Sequence, residues 1–328
     1  MKRAANEYKV IQTLEKVLRT AHKNDVCLYQ QCKERPIGSH IIARKTLRLI
    51  AEKGHVKTWL QTSAWDMMRH LQAGQSLDHL LEAPVNIGIT DTNKVTLPLF
   101  CQKHDNQVFT SLEKDEFSFQ PEQIVLLAYR ALCSMTLGVS STAKVLSVAR
   151  QFGYRHSLNE PEQFQRLQRF QMTDLMVNVR QHYAKLHATY GYDQLGWSVY
   201  LVNIQPCVAA TYTLIPVNDD DAQAIVNGSQ TVTIEDAVSF SLLPYQLLRN
   251  SVCVISWLKG SQRARQFMML NGINEVPEKE RDNHFLRLAF ESPTLYISPA
   301  WWESLSDEER KEYSRIHHNA GREHAKLV

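Results

Sequence analysis

Residues 24–42, NDVCLYQQCKERPIGSHII, and residues 100–105, FCQKHD, decide how the N-terminal third of this chain is read. Cys27-x4-Cys32 is one short-spaced pair of donors, and Cys101-x2-His104 is another. Zinc takes four ligands in tetrahedral array, preferably thiolates and imidazoles, and two short knuckles from distant segments supply them well. The expectation is a split zinc site on Cys27, Cys32, Cys101 and His104. Cys133, Cys207 and Cys253 lie singly in the apolar contexts RALCSM, IQPCVA and SVCVIS, where a small buried core residue is expected. Six cysteines in 328 residues do not make a disulfide framework.

Around this site the chain divides by pattern. Residues 5–22 place Tyr8, Ile11, Leu14, Val17 and Leu18 at helical spacing. Ser39 is positioned to cap a second helix running to about Lys53 and stopped by Gly54, with Arg44, Lys45 and Arg48 on its basic face. Residues 63–72 read as helix, and residues 84–100 as extended segments with turns. FSFQPEQ marks a boundary before an apolar helix near 121–137, a further helix at 141–152 and a long one at 160–189. Beyond Tyr190, WSVYLVNI (197–204), VAATYTLI (208–215) and VCVISWL (252–258) read as strands, with helices expected at 260–270, 279–291 and 302–316. The predicted class is α+β: an α-rich N-terminal half with a small treble-clef-like zinc module, then a C-terminal mixed sheet with helices. Three units follow: a zinc-binding module with flanking helices over 1–118, a helical spine over 119–190, and an α+β domain over 191–328.

Charge is uneven. Residues 1–60 hold 13 Lys/Arg against 5 Asp/Glu, a balance of +8, so the +3 of the whole chain leaves −5 for the remainder. A basic module beside a metal site is compatible with a phosphate-rich partner such as nucleic acid. The N-terminus lacks the apolar centre of a secretory signal and no apolar run is long enough for a membrane helix, so a cytoplasmic location is expected. Only 12 glycines, and no phosphate-cradling loop or Ser/His/Asp elbow, turn the reading away from nucleotide-loop enzymes.

The pattern of Cys27, Cys32, His40, Cys101, His104 and Asp105 resembles the HNH, or His-metal-finger, endonucleases. The resemblance covers at most residues 24–113. It implies a treble-clef core in which the four knuckle residues hold structural zinc. It further implies that His40 is the general base and that Asp105 stands where the family places its last histidine, as ligand to a catalytic Mg²⁺. A neutral imidazole can deprotonate water near pH 7, and a carboxylate-held Mg²⁺ can stabilise charge on a phosphate being cleaved. The sequence departs from the family in its x4 knuckle, in Ser39 where an acidic residue or histidine is usual, and in the long interval between His40 and Cys101. Asn86 and Asn93 are the candidates for the middle asparagine. By architecture the chain is similar to bacterial phage-defence or toxin proteins.

Lesser signals remain. Arg150-QFGYR-His156 and Arg180-QHYAKL-His187 loosely resemble the Arg-x4-6-His ribonuclease motif of helical HEPN domains. His317-His318 has the composition of a metal or phosphate ligand pair, but a solvated terminal helix is the preferred account. Glu113 can add a carboxylate to a metal site or remain a solvated charge. One indole of Trp301-Trp302 is expected in the core and the other against a neighbouring element. The rival reading is a non-enzymatic protein whose zinc only staples the N-terminal module in place, with a C-terminal domain that binds a protein partner.

Overall fold

Alternation of apolar residues over 195–258 produces strands, and the computed structural model orders them into one antiparallel sheet. It describes residues 13, 25–60, 86–151, 175–214, 236–247, 249–262, 264 and 277–327. The N-terminal part comprises β1 (Gly38–His40), α1 (Arg44–Leu47), β2 (His55–Leu60), β3 (Asn86–Asp91), β4 (Thr96–Pro98), α2 (Gln102–Val108) and α3 (Thr110–Glu113). Two long helices follow, α4 (Pro121–Gln151) and α5 (Leu175–Ala188). The remainder is β5 (Leu195–Val202), β6 (Val208–Leu214), β7 (Val238–Tyr245), β8 (Asn250–Leu258), α6 (Glu278–Glu291), β9 (Leu295–Ile297), α7 (Pro299–Ser304) and α8 (Asp307–Leu327). The mixture of helix and sheet is α+β.

The large sheet has seven strands in the order β3-β2-β9-β6-β7-β8-β5, and β1 with β4 forms a separate two-stranded sheet. The short strand β9 joins the parts. It pairs with β2 through Lys57↔Ile297 and Thr58↔Tyr296, and with β6 through Val208↔Ile297 to Ala210↔Leu295. The Thr58 hydroxyl adds a 2.7 Å bond to the Leu295 carbonyl. The hairpin of β2 and β3 therefore extends the sheet built by residues 195–297.

Both faces of the sheet are covered at β6, β7 and β8. Ala209, Leu243, Val252 and Val254 face α4, while Ala210, Phe240, Leu242, Cys253 and Ile255 face α6, which brings Phe285, Leu286, Ala289 and Phe290. This is the period-2 alternation of a sheet buried on two sides. The hydroxyls that fall on the α4 face are paired across strands, Thr211 with Ser241 at 2.7 Å and Thr213 with Ser239 at 3.1 Å. Between β5 and β8, Gly196 lies under the Trp257 indole, whose atoms would sit 2.7 Å from any Cβ at that position. Only glycine admits that contact.

Helix α4 is the spine. Every residue from 123 to 133 is buried, because the helix touches the sheet, α5 and α3 on different sides. Gln123 fixes its start: the side-chain oxygen accepts from the Ser118 amide, and the side-chain nitrogen donates to the Ser111 and Glu116 carbonyls.

Several expectations are corrected here. Ser39 does not cap a helix; it is a fully buried strand residue, and the helix after it is limited to Arg44–Leu47. Residues 121–151 form one helix rather than two. Strands β7 and β9 were not expected. Cys133, Cys207 and Cys253 are buried, as their contexts indicate. Trp302 is buried while Trp301 packs half-exposed on Phe290 and Tyr313. His317 donates from Nδ1 to the Phe290 carbonyl at 3.0 Å and stacks on Trp59 at 3.9 Å, so it ties α8 to α6 and β2. Apart from isolated residues, the helices expected at 5–22, 63–72 and 260–270 lie outside the described residues, as do the first half of 160–189, His156 and the His318 side chain. No described helix is long and apolar enough to cross a membrane.

Phe285 is fully buried against Phe240 and Tyr200. Phe285→Ala is expected to destabilise the protein by about 3–5 kcal/mol, read as a lower midpoint in urea denaturation.

Candidate metal centre

The segment after Asp25 turns tightly because its amides are used locally. Cys27 N–H donates to the Glu34 carbonyl at 2.8 Å and Cys32 N–H to the Tyr29 carbonyl at 3.2 Å. Gln31, just before Cys32, takes a left-handed conformation at φ 57°, which redirects the chain so that both thiols face one side. The turn is tied to the second segment by Leu28 N–H to the Leu99 carbonyl at 2.8 Å and Ile37 N–H to the Phe100 carbonyl at 2.7 Å. β1 then runs antiparallel to β4, Gly38↔Pro98 to His40↔Thr96. Cys101 is the N-cap of α2, and His104 lies in the first turn of that helix.

These constraints bring the four predicted donors together. Nδ1 of His104 is 3.4 Å from Cys27 Sγ and 3.3 Å from Cys101 Sγ, and Cys32 Sγ is 3.8 Å from Cys101 Sγ. All four donor atoms lie within 4.8 Å of one another. A tetrahedral ion with zinc's bond lengths requires about 3.8 Å between two sulfurs and about 3.5 Å between sulfur and nitrogen. A disulfide would need about 2.05 Å. The donor set and its spacing fit zinc.

The electrostatics differ among the four donors. Burial pushes the Cys27 thiol up to about 12, with backbone hydrogen bonds working against it. Cys101 is also penalised by burial, yet the amides of His104 and Lys103 and the neighbouring thiols outweigh that, and its pKa falls below the ordinary thiol value. A helix N-terminus favours a thiolate in this way. Burial and Lys103 lower His104, keeping the imidazole neutral as a ligand must be. Tyr29 stacks on the His104 ring at 4.2 Å and fixes its orientation. Cys27 and Cys101 are buried, with Cys32 and His104 partly open.

The two residues expected to carry catalysis sit beside this cluster in unequal surroundings. His40 Nε2 is 2.8 Å from the Thr92 carbonyl. A carbonyl only accepts, so Nε2 carries the proton and Nδ1 the lone pair. Asp105 instead turns inward. Burial raises its pKa, opposed by Arg130, the Ser39 hydroxyl and, more weakly, His40. Arg130 Nη2 lies 3.5 Å from Asp105 Oδ1, and Arg130 Nη1 lies 2.5 Å from Glu113 Oε1. The same guanidinium stacks on Phe109 at 4.2 Å. Glu113 is thus a partner of Arg130 rather than a solvated charge.

Asn93 donates its backbone and side-chain N–H groups to Asp91 Oδ1 at 2.7 and 2.8 Å, closing a local turn. Lys45 donates to the Asp115 carbonyl. His187, from the second Arg/His pair, is 3.4 Å from Glu122. Arg130 and Tyr29 escaped the sequence reading. The signal for Arg130 was present, since a lone arginine inside the apolar run IVLLAYRALC calls for a buried anionic partner. No known protein family, curated protein or solved structure matches the chain.

Arg130→Met leaves two carboxylates facing an apolar helix. It is expected to destabilise the fold by about 3 kcal/mol, since removing one partner of a buried ion pair strands the other. Adding Asp105→Asn and Glu113→Gln to that variant should restore most of the loss, measured by thermal and urea denaturation.

Proposed function

We propose that Cys27, Cys32, Cys101 and His104 hold one structural zinc ion, and that this ion staples a treble-clef-like module onto the α4 spine. The carrying observation is the convergence of three thiols and one imidazole nitrogen at tetrahedral spacing. The order of parts supports the module: a knuckle, the antiparallel pair β1 and β4, then a helix whose cap and first turn supply the last two donors. Closed four-ligand sites are structural, whereas catalytic zinc keeps an open position. The staple reaches the spine directly, because the Tyr129 hydroxyl of α4 donates to the Leu28 carbonyl inside the knuckle at 3.1 Å.

A second reading, metal-dependent cleavage of nucleic acid, draws support from His40. Its proton is held by Thr92, its lone pair is on Nδ1, and it ends β1, the strand paired with the β4 that precedes the helix carrying His104. Asp105 weighs against this reading. The cation beside its carboxylate is the Arg130 guanidinium, and a Mg²⁺ ion would have to compete with a permanent, buried positive charge. The structural role is therefore the better supported. In the same reading, the C-terminal half would carry the recognition of a partner.

Purified protein is expected to contain about one zinc per chain by elemental analysis. Cys101→Ser should lose the metal, and exhaustive chelation should lower the thermal midpoint by about 10 °C, because the metal's binding energy is part of the folding energy. A metal-free native chain would refute the staple. His40→Ala is expected to keep both zinc and thermal midpoint. If wild type cleaves DNA or RNA with Mg²⁺ and His40→Ala does not, the second reading replaces the first.

A further inference from the structure

We infer that β5, the terminal strand of the seven-stranded sheet, is a self-pairing edge through which two copies of this chain join their sheets. Among the described residues no strand lies beyond β5, which is paired on one side with β8 in an unbroken register from Leu195↔Leu258 to Val202↔Ser251. Natural edge strands are shielded from each other by charges, proline, bulges or shortness. β5 has none of these: it is eight residues long, reads LGWSVYLV, and contains no charged residue and no proline.

Its exposed side chains sharpen the point. Val199 is 36% and Leu201 40% exposed, although alternation in the strand places them on one face and in register with each other. Two exposed aliphatic residues at i and i+2 on an uncharged strand need a cover that also satisfies backbone donors and acceptors, and another strand supplies both.

The occupant follows from charge and symmetry. An uncharged strand meets its own copy antiparallel without any like-charge contact, and a twofold axis closes the assembly after two chains. Centred on Tyr200, the pairing sets Val199 of each copy opposite Leu201 of the other, the close cross-strand contact that stabilises sheets. In that register residues 198–202 of each copy pair, which forms about five backbone hydrogen bonds. The opposite edge is less suited to such pairing. β3 is six residues long, ends in Asp91, and among its described side chains exposes Ile89, at 61%. Pairing β5 with β3 would be head-to-tail and would not close.

The test is the mass of the full-length protein in solution, measured by light scattering on a sizing column at micromolar concentration. Wild type is expected at twice the 37.8 kDa chain mass. Val199→Lys and Leu201→Lys, which alter exposed positions, should each give the single-chain mass with unchanged circular dichroism and zinc content, and Ile89→Lys should stay dimeric. The inference is overturned by a monomeric wild type, by dimers that survive both lysine variants, or by a dimer that Ile89→Lys abolishes. Open-ended assemblies would overturn it as well. Zinc content reports on the metal centre separately, so either reading can fail without the other.

Discussion

Burial of residues 123–133 of helix α4 is the constraint to which the rest of the described molecule answers. A helix apolar all round is stable only inside a shell, and here the shell is made of unrelated parts: one face of the sheet, α5, α3 and the Cys/His turn. Two of its polar side chains define how the shell is assembled. Tyr129 reaches the Leu28 carbonyl, and Arg130 reaches Asp105 and Glu113. The apolar residues supply the driving force, while these two side chains specify which segment lies where. Phe100 and Phe109 pack on Tyr129 from the module side, at 5.7 and 6.0 Å, and Tyr183 of α5 stacks on it from the other.

The same arrangement explains why a metal cluster and an ion pair lie side by side. Asp105 directly follows a zinc-type donor, and its amide donates to the Cys101 carbonyl in the first turn of α2. One turn of helix thus presents a thiol and an imidazole to the knuckle, and a carboxylate to the spine. The module is oriented by both contacts at once. Ser39 and Arg130 enclose the Asp105 carboxylate, so that position serves packing.

Parts of this were legible from the chain and parts were not, for physical reasons. The four donors were readable because ligand spacing is a local code, fixed by one turn of backbone. Strands β5, β6 and β8 were readable because each is an alternating or continuous apolar run of strand length. β7 was hidden by Ser239 and Ser241, whose hydroxyls are satisfied by partners on β6 that no local pattern can show. β9 has three residues, below any periodicity signal, and matters only through neighbours some 90 and 240 positions earlier in the chain. Ser39 read as a helix cap since Ser before an apolar run usually is one. In the fold its hydroxyl accepts from the Phe100 amide, so a long-range bond displaced the local one.

Strand β9 also sets an order of events during synthesis. The knuckle, β1, β4 and α2 are complete once residue 108 has emerged, whereas β2 acquires its inner neighbour only when residues 295–297 arrive. At about 5–20 residues per second, the interval between those two moments is on the order of tens of seconds. During it the hairpin of β2 and β3 has an unpaired side on the nascent chain. The sheet, made from both ends of the described chain, is therefore a late product of translation. The short segment that completes it works as a latch, joining a waiting hairpin to strands made long after it.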